Sequence, residues 1–242
     1  MNQTAKIHIG LLTPESANRP HFENFKKLLP PEISMTFEGL NLLRTSRYDL
    51  QGKSDEVVKR ALEVARKHPL QGIIITGAPM AILNPGLETK VSRGLGLPVV
   101  TAVSSAIGAL KASSAKKLIV MTPFDEPMNT RLKRQLADAG FTVLSCPPFE
   151  DQTVGAGSKI APDELFSRAK RAFTEAGEAD AIYFQGASLD PLPIIQRLEE
   201  ELKVPVIASN PAMLWCLLSQ LGHKYSIPGH GRLLAMWPPL RS

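Results

Sequence analysis

Ile73-Ile74-Ile75-Thr76-Gly77-Ala78-Pro79 has a counterpart in Ile182-Tyr183-Phe184-Gln185-Gly186-Ala187-Ser188. Each segment is an apolar run of strand length that breaks at Gly-Ala. An uninterrupted apolar run of this length reads as a parallel strand buried on both faces. Glycine at its carboxyl end lets the backbone turn sharply. In open α/β sheets ligands bind just beyond such ends. Gly77 and Gly186 therefore mark the place where a ligand site is expected.

Working outward, the same order of elements is expected twice. The first half reads as a strand at Ile7 to Leu12 ending in Thr13-Pro14-Glu15-Ser16, then a helix from about Pro20 to Leu29, and a strand at Ile33 to Phe37. A helix N-capped by Ser54 follows, with Ala61, Leu62, Val64 and Ala65 as its apolar stripe. After the Gly77 turn come a linking helix near Glu88–Arg93, the strand Pro98–Ala102 and a helix opened by Ser104-Ser105.

The second half reads as a strand at Lys117 to Met121 ending in Thr122-Pro123-Phe124-Asp125, a helix at Asn129 to Ala139 stopped by Gly140, and a strand at Phe141 to Ser145. A helix at Asp163 to Ala176 precedes the Gly186 turn. A helix near Pro193–Glu201, the strand Pro205–Ala208 and a helix opened by Ser209-Asn210 complete it. Thr13 maps to Thr122 at an offset of 109 (122 − 13), Gly77 to Gly186 at 109 (186 − 77), and Pro98 to Pro205 at 107 (205 − 98). Three landmarks in order at nearly constant offset argue for internal duplication. The expected fold is α/β: two pseudo-symmetric parallel-sheet halves, residues 1–112 and 113–221, with right-handed crossovers and a ligand cleft between them. Residues 222–242 are expected to pack back onto the first half.

Composition narrows the function classes. With 242 residues, 43% hydrophobic and 21% charged, the chain can bury a proper core. The net charge of +5 is mild, and its basic residues are interleaved with acidic ones on helical stretches. That is a solvated surface, without the basic groove and aromatic platform of a nucleic-acid binder. No apolar stretch reaches the roughly 18–20 residues that span a bilayer, and the amino terminus lacks signal-peptide architecture. Two cysteines and five histidines show no metal-ligand spacing. A cytoplasmic protein without cofactor or metal is expected, with no nucleic-acid or membrane partner; assembly into a homo-oligomer stays open.

The motifs Thr-Pro-Glu-Ser (13–16), Gly-Ala-Pro (77–79), Val-Thr-Ala-Val-Ser-Ser-Ala (100–106), Thr-Pro-Phe-Asp-Glu-Pro-Met-Asn (122–129), Val-Pro-Val-Ile-Ala-Ser-Asn-Pro-Ala (204–212) and Pro-Gly-His-Gly-Arg-Leu (228–233) carry a resemblance. In order and spacing they resemble the aspartate/glutamate racemase superfamily, and within it the branch of arylmalonate decarboxylase and maleate cis-trans isomerase. The resemblance implies cofactor-independent chemistry on a small carboxylate. It also implies a cysteine after the third strand of each half, one serving as acid and the other as base across the substrate. Here both matching positions are glycine, Gly77 and Gly186. Phe124 stands where the resemblance implies tyrosine, and Ala78-Pro79 where it implies hydroxyl residues.

Two functional readings follow. The first is a lyase or isomerase, decarboxylase-like or maleate-isomerase-like, working through an enediolate-type intermediate without the thiol pair. Glu15 and Ser188 are its candidate proton carriers. Thr13, Ser16, Asn18, Gly77, Ala78, Phe124, Gly186, Ala187, Ser209 and Asn210 are the candidate substrate-binding residues. Backbone N–H groups at the two Gly-Ala turns would hold developing negative charge. Ser104-Ser105 and Ser209-Asn210, at helix starts, are N-caps or anion contacts. His230 is an acid that could swing over the cleft, or a loop residue. The second reading is a carboxylate-binding protein that has lost the chemistry.

Overall fold

The computed structural model describes residues 7–18 and 20–240, apart from the side chains at 20, 21 and 187. The first half runs β1 (Ile7–Thr13), α1 (Pro20–Lys26), β2 (Ile33–Gly39), α2 (Ser54–Lys67), β3 (Gly72–Ile75), α3 (Ala78–Ile82), α4 (Leu87–Leu95), β4 (Val99–Thr101) and α5 (Ala102–Ala112). The second runs β5 (Lys117–Met121), α6 (Glu126–Asp138), β6 (Thr142–Ser145), α7 (Pro162–Ala176), β7 (Ala181–Phe184), α8 (Ile195–Leu202), β8 (Val206–Ala208) and α9 (Ser209–Gln220), and α10 (Arg232–Met236) follows.

The strands form two all-parallel sheets, β2-β1-β3-β4 and β6-β5-β7-β8. The duplication extends to pairing register. Leu11 and Leu12 lie opposite Ile74 and Ile75, and 109 residues later Val120 and Met121 lie opposite Tyr183 and Phe184 (120 − 11, 183 − 74). β3 and β7 are buried along their whole length, as their unbroken apolar runs require.

The halves are locked together by α5 and α9, which pack along each other. From Ser209 to Leu218 every residue of α9 is buried. A helix that is apolar all round has no solvent face to offer, and α9 accordingly touches β8 of its own half and β3 and β4 of the other. Small residues permit the approach: Leu217 sits against Gly72, and Trp215 against Gly108 of α5. The chain end meets both halves. Trp237 Nε1 donates to Ser219 Oγ (3.0 Å), Trp215 Nε1 donates to the Pro238 carbonyl (3.0 Å), and Leu240 lies over Gly108.

Several expected element starts shift, each for a capping reason. Ser54 is the first residue of α2 rather than its cap; Lys53 holds the cap position without a side-chain bond, and Ser54 Oγ lies 3.3 Å from Asn84 Oδ1. α6 begins at Glu126, earlier than expected, because Asp125 Oδ1 accepts the Met128 N–H at 2.9 Å. α5 begins at Ala102 with Thr101 as its cap, so Ser104 and Ser105 lie within its first turn rather than ahead of it.

At the carboxyl ends of β3 and β7 the chain turns through Gly77 (φ +81°) and Gly186 (φ +115°). Each turn lies on a proline from the neighbouring central strand's loop. A Cβ at residue 77 would come within 2.8 Å of Pro14 Cγ, and one at 186 within 2.6 Å of Pro123 Cδ.

Two stability outcomes are expected. Gly186→Ala combines a disfavoured φ with overlap on Pro123 and should cost about 2–4 kcal/mol. Gly52→Ala, with φ +72° and open space around it, should cost only about 1 kcal/mol; equal midpoints in urea unfolding would refute the proline contact. Glu199 is buried, and its carboxylate accepts the N–H of Val206 (2.9 Å) and of Arg232 (2.7 Å), tying β8 and α10 to α8. Glu199→Ala orphans both donors and should cost about 2–4 kcal/mol in the same measurement.

Candidate active site

Between the two glycine turns lies a cavity of about 100 Å³. The first half contributes Pro14, Glu15, Leu43, Arg47, Leu50, Thr76, Gly77, Ala78 and Pro79. The second contributes Pro123, Phe124, Val154, Gly155, Ser158, Gly186 and Ser188. The lining is largely apolar, and one carboxyl, one guanidinium and a few hydroxyls interrupt it. Such a composition suits a small molecule with one or two polar groups.

The walls come from loops that the duplication repeats. After β2, Arg47–Leu50 forms a single 3-10 turn; after β6, Ala156–Lys159 forms another, 109 residues on (156 − 47). The first is set by Ser46, whose Oγ accepts the Tyr48 N–H, and by Asp49, whose carboxylate accepts the Ser46 N–H at 3.0 Å. The N–H groups of Ser46, Thr45 and Arg44 hold the Asp49 carboxyl below its ordinary range. The turn delivers Arg47 and Leu50 to the cavity, while the second turn delivers Ser158.

Contacts across the cleft tie these loops together. Tyr48 Oη donates to Asp125 (2.9 Å to Oδ1, 3.2 Å to Oδ2). Burial, and then that carboxylate, push the phenol above its usual pKa, so it remains a donor. Arg47 Nη1 donates to the carbonyl (3.0 Å) and side-chain oxygen (3.3 Å) of Gln152. Its guanidinium lies 5.8 Å from the centroid of the Phe124 ring. Burial pulls the arginine below its ordinary value, and Asp125 and Asp151 pull the other way.

The expected site residues fall into three places. Glu15, Gly77, Ala78, Phe124, Gly186 and Ser188 line the cavity. The N–H groups of Gly77 and Gly186 have no acceptor among the described residues. Thr13 is fully buried at the end of β1, behind the lining, and its Oγ1 has no partner among the described residues. Ser16 and Asn18 are exposed, joined by a 3.4 Å bond from the Asn18 N–H to Ser16 Oγ. Ala187 opens the short turn Ala187–Leu189, and its side chain lies outside the described residues.

Ser209 and Asn210 face a second, much smaller pocket of about 10 Å³ on the other side of Gly186. Asp190, held by Asn24 Nδ2 at 2.5 Å, also lines it. Asn210 Oδ1 is buried there without a partner among the described residues. The N-terminus of α5 is closed to an outside anion, because Glu88 already fills it. Its Oε2 accepts the Thr101 N–H and Oγ1–H, each at 3.0 Å, and the Ser104 hydroxyl. His230 lies away from the cavity, on a loop held to α8 by the Gly231 and Arg232 N–H groups.

Neither cysteine lines the cavity. Burial pushes the Cys146 thiol up to about 12 and the Cys216 thiol up to about 11, so both are held as neutral thiols. Among the described residues no three His, Cys, Asp or Glu side chains gather as a metal site would need. No described helix is long and apolar enough to cross a membrane.

The sequence reading missed Arg47 and the apolar wall of Leu43, Leu50 and Val154. All lie in loops without periodicity. The available signal was the 109-residue offset carried into the segments after β2 and β6.

Comparison with known proteins agrees with this architecture. The family model described as Arylmalonate decarboxylase matches residues 9–234. Arylmalonate decarboxylase of Bordetella bronchiseptica is 25% identical over 96% of this chain and 98% of its own. Maleate isomerase of Geobacillus stearothermophilus is 21% identical over 95% of this chain and 97% of its own. A solved structure of Nocardia farcinica maleate cis-trans isomerase, a Cys-to-Ser mutant with a covalently bound succinylcysteine intermediate, superimposes with a TM-score of 0.83 at 21% identity, covering 95% of this chain and 98% of that one. With the family match spanning nearly the whole chain and both halves of the cavity, this protein belongs to the arylmalonate decarboxylase family.

Proposed function

We propose that the protein is a cofactor-independent lyase or isomerase acting on a small carboxylate through an enediolate-type intermediate. The observation that carries this reading is the single cavity in which Glu15 of the first half and Ser188 of the second meet between the Gly77 and Gly186 turns. Bond cleavage next to a carboxylate leaves an electron pair on the α carbon, delocalised into that carboxylate as an enediolate. In a decarboxylation the C–C bond breaks, CO₂ departs and the pair is quenched by a proton. Glu15, backed by Ser188, supplies that proton here. The N–H groups of Gly77 and Gly186, without acceptors among the described residues, offer donors for the enediolate oxygens. The cavity has no thiol to add to a double bond, which favours decarboxylation or proton exchange over isomerisation through a cysteine adduct.

The same absence supports a second reading, a carboxylate-binding protein without turnover. Proton NMR in heavy water separates the two, with phenylmalonate, maleate and phenylacetate as substrates. Loss of CO₂ or α-proton exchange is expected from the wild type, and Glu15→Gln should lower kcat by about 10²–10⁴-fold. Ser188→Ala should lower it less, by about 10-fold. Tight binding with no turnover of any acid would leave only the second reading. Iodoacetamide at pH 8 should leave any activity unchanged, because thiols with pKa values of about 12 and about 11 hold almost no thiolate there. Inactivation that tracks labelling of either cysteine would refute the thiol-free mechanism.

A further inference from the structure

We propose that Arg47 is the specificity-determining residue of this cavity, its guanidinium gripping a carboxylate of the bound ligand. The inference rests on the reading of the cavity as a carboxylate site and names the residue that recognises the charge. Arg47 is half-buried and lines the cavity wall. Its hydrogen bonds are both made by Nη1, to the two oxygens of Gln152. Among the described residues neither Nε nor Nη2 has a hydrogen-bond partner, and no carboxylate forms an ion pair with the guanidinium. Of the two acids near it, Asp125 is occupied by the Tyr48 hydroxyl and the Met128 N–H, and Asp151 accepts the Thr153 N–H.

Desolvating a cation without a contact anion is unfavourable. A planar guanidinium with free N–H groups is matched by a carboxylate binding through both oxygens. The geometry around Arg47 fixes its aim. Gln152 holds one nitrogen, the Phe124 ring lies beside the guanidinium, and Leu43 and Leu50 share the wall. The ligand class is therefore a carboxylate whose neighbouring body is apolar, with neutral isosteres rejected.

Calorimetric titration of the full chain tests this with two matched pairs, phenylacetate against phenylacetamide and butyrate against butyramide. Wild type should bind each acid more tightly than its amide, and that preference should weaken with added NaCl. Arg47→Met keeps length and apolar packing, and should weaken acid binding by about 10- to 100-fold while leaving the amides within about threefold. Arg47→Gln, polar but uncharged, is made alongside, so the comparison survives if the first variant fails to fold. Acid affinities equal to wild type in a folded variant would overturn the role of Arg47 even where the wild type turns over substrate. Acid binding that depends on Arg47 without any turnover would support the inference and remove the enzymatic reading. Failure of the wild type to bind either acid would overturn both.

Discussion

The contact of Gly77 with Pro14 and of Gly186 with Pro123 is the constraint on which the site depends. The loop after each central strand, β1 or β5, lies directly on the turn after its neighbour, β3 or β7, with no room for a Cβ between them. Positive φ at both glycines then sends the chain away from the sheet and leaves both backbone N–H groups without acceptors among the described residues. The cavity is thus a by-product of two close backbone approaches. Its floor is rigid, because prolines and sheet-anchored turns have little freedom to adjust.

That floor faces a matching one only because the halves are held in one orientation. α9, buried from Ser209 to Leu218, lies on α5 and reaches β3 and β4 of the other half, so its apolar surface is not free for sliding. Dense interdigitation of this kind resists small displacements. On the open side the joining contacts are polar: Tyr48 to Asp125, Arg47 to Gln152 and Asn24 to Asp190. The molecule is therefore stiff behind the glycines and held by exchangeable hydrogen bonds in front of them.

The sequence was legible where local chemistry decides the outcome. β3 and β7 are continuous apolar runs, and the 109-residue offset that links them also fixes strand order and even pairing register. It was less legible where a tertiary partner intervenes. Ser104 looks like a helix opener, but Glu88 from a preceding helix takes over the capping, a partner 16 residues away that no local rule indicates. Ser16 and Asn18 adjoin the cavity-lining Glu15 in sequence yet remain exposed, because the loop folds back over Gly39. Arg47 reads as one more surface cation among 28 basic residues; only the placement of its 3-10 turn across from Phe124 brings it inside.

The same placement bears on which carboxylate Arg47 could serve in a decarboxylation. A carboxylate that departs as CO₂ loses its charge on the way to the transition state. A guanidinium bound to it would stabilise the ground state more and raise the barrier. The carboxylate that remains gains charge as the enediolate forms, so a fixed cation beside it lowers the barrier. On the proposed reading the arginine must therefore face the retained group, and the departing one must lie against the apolar lining. Leu43, Leu50, Pro79 and Val154 provide such a surface, and none of their side chains can hydrogen-bond to a charge. Catalysis and recognition then make the same demand on the cavity: one charged wall, one apolar wall, and the glycine amides between them.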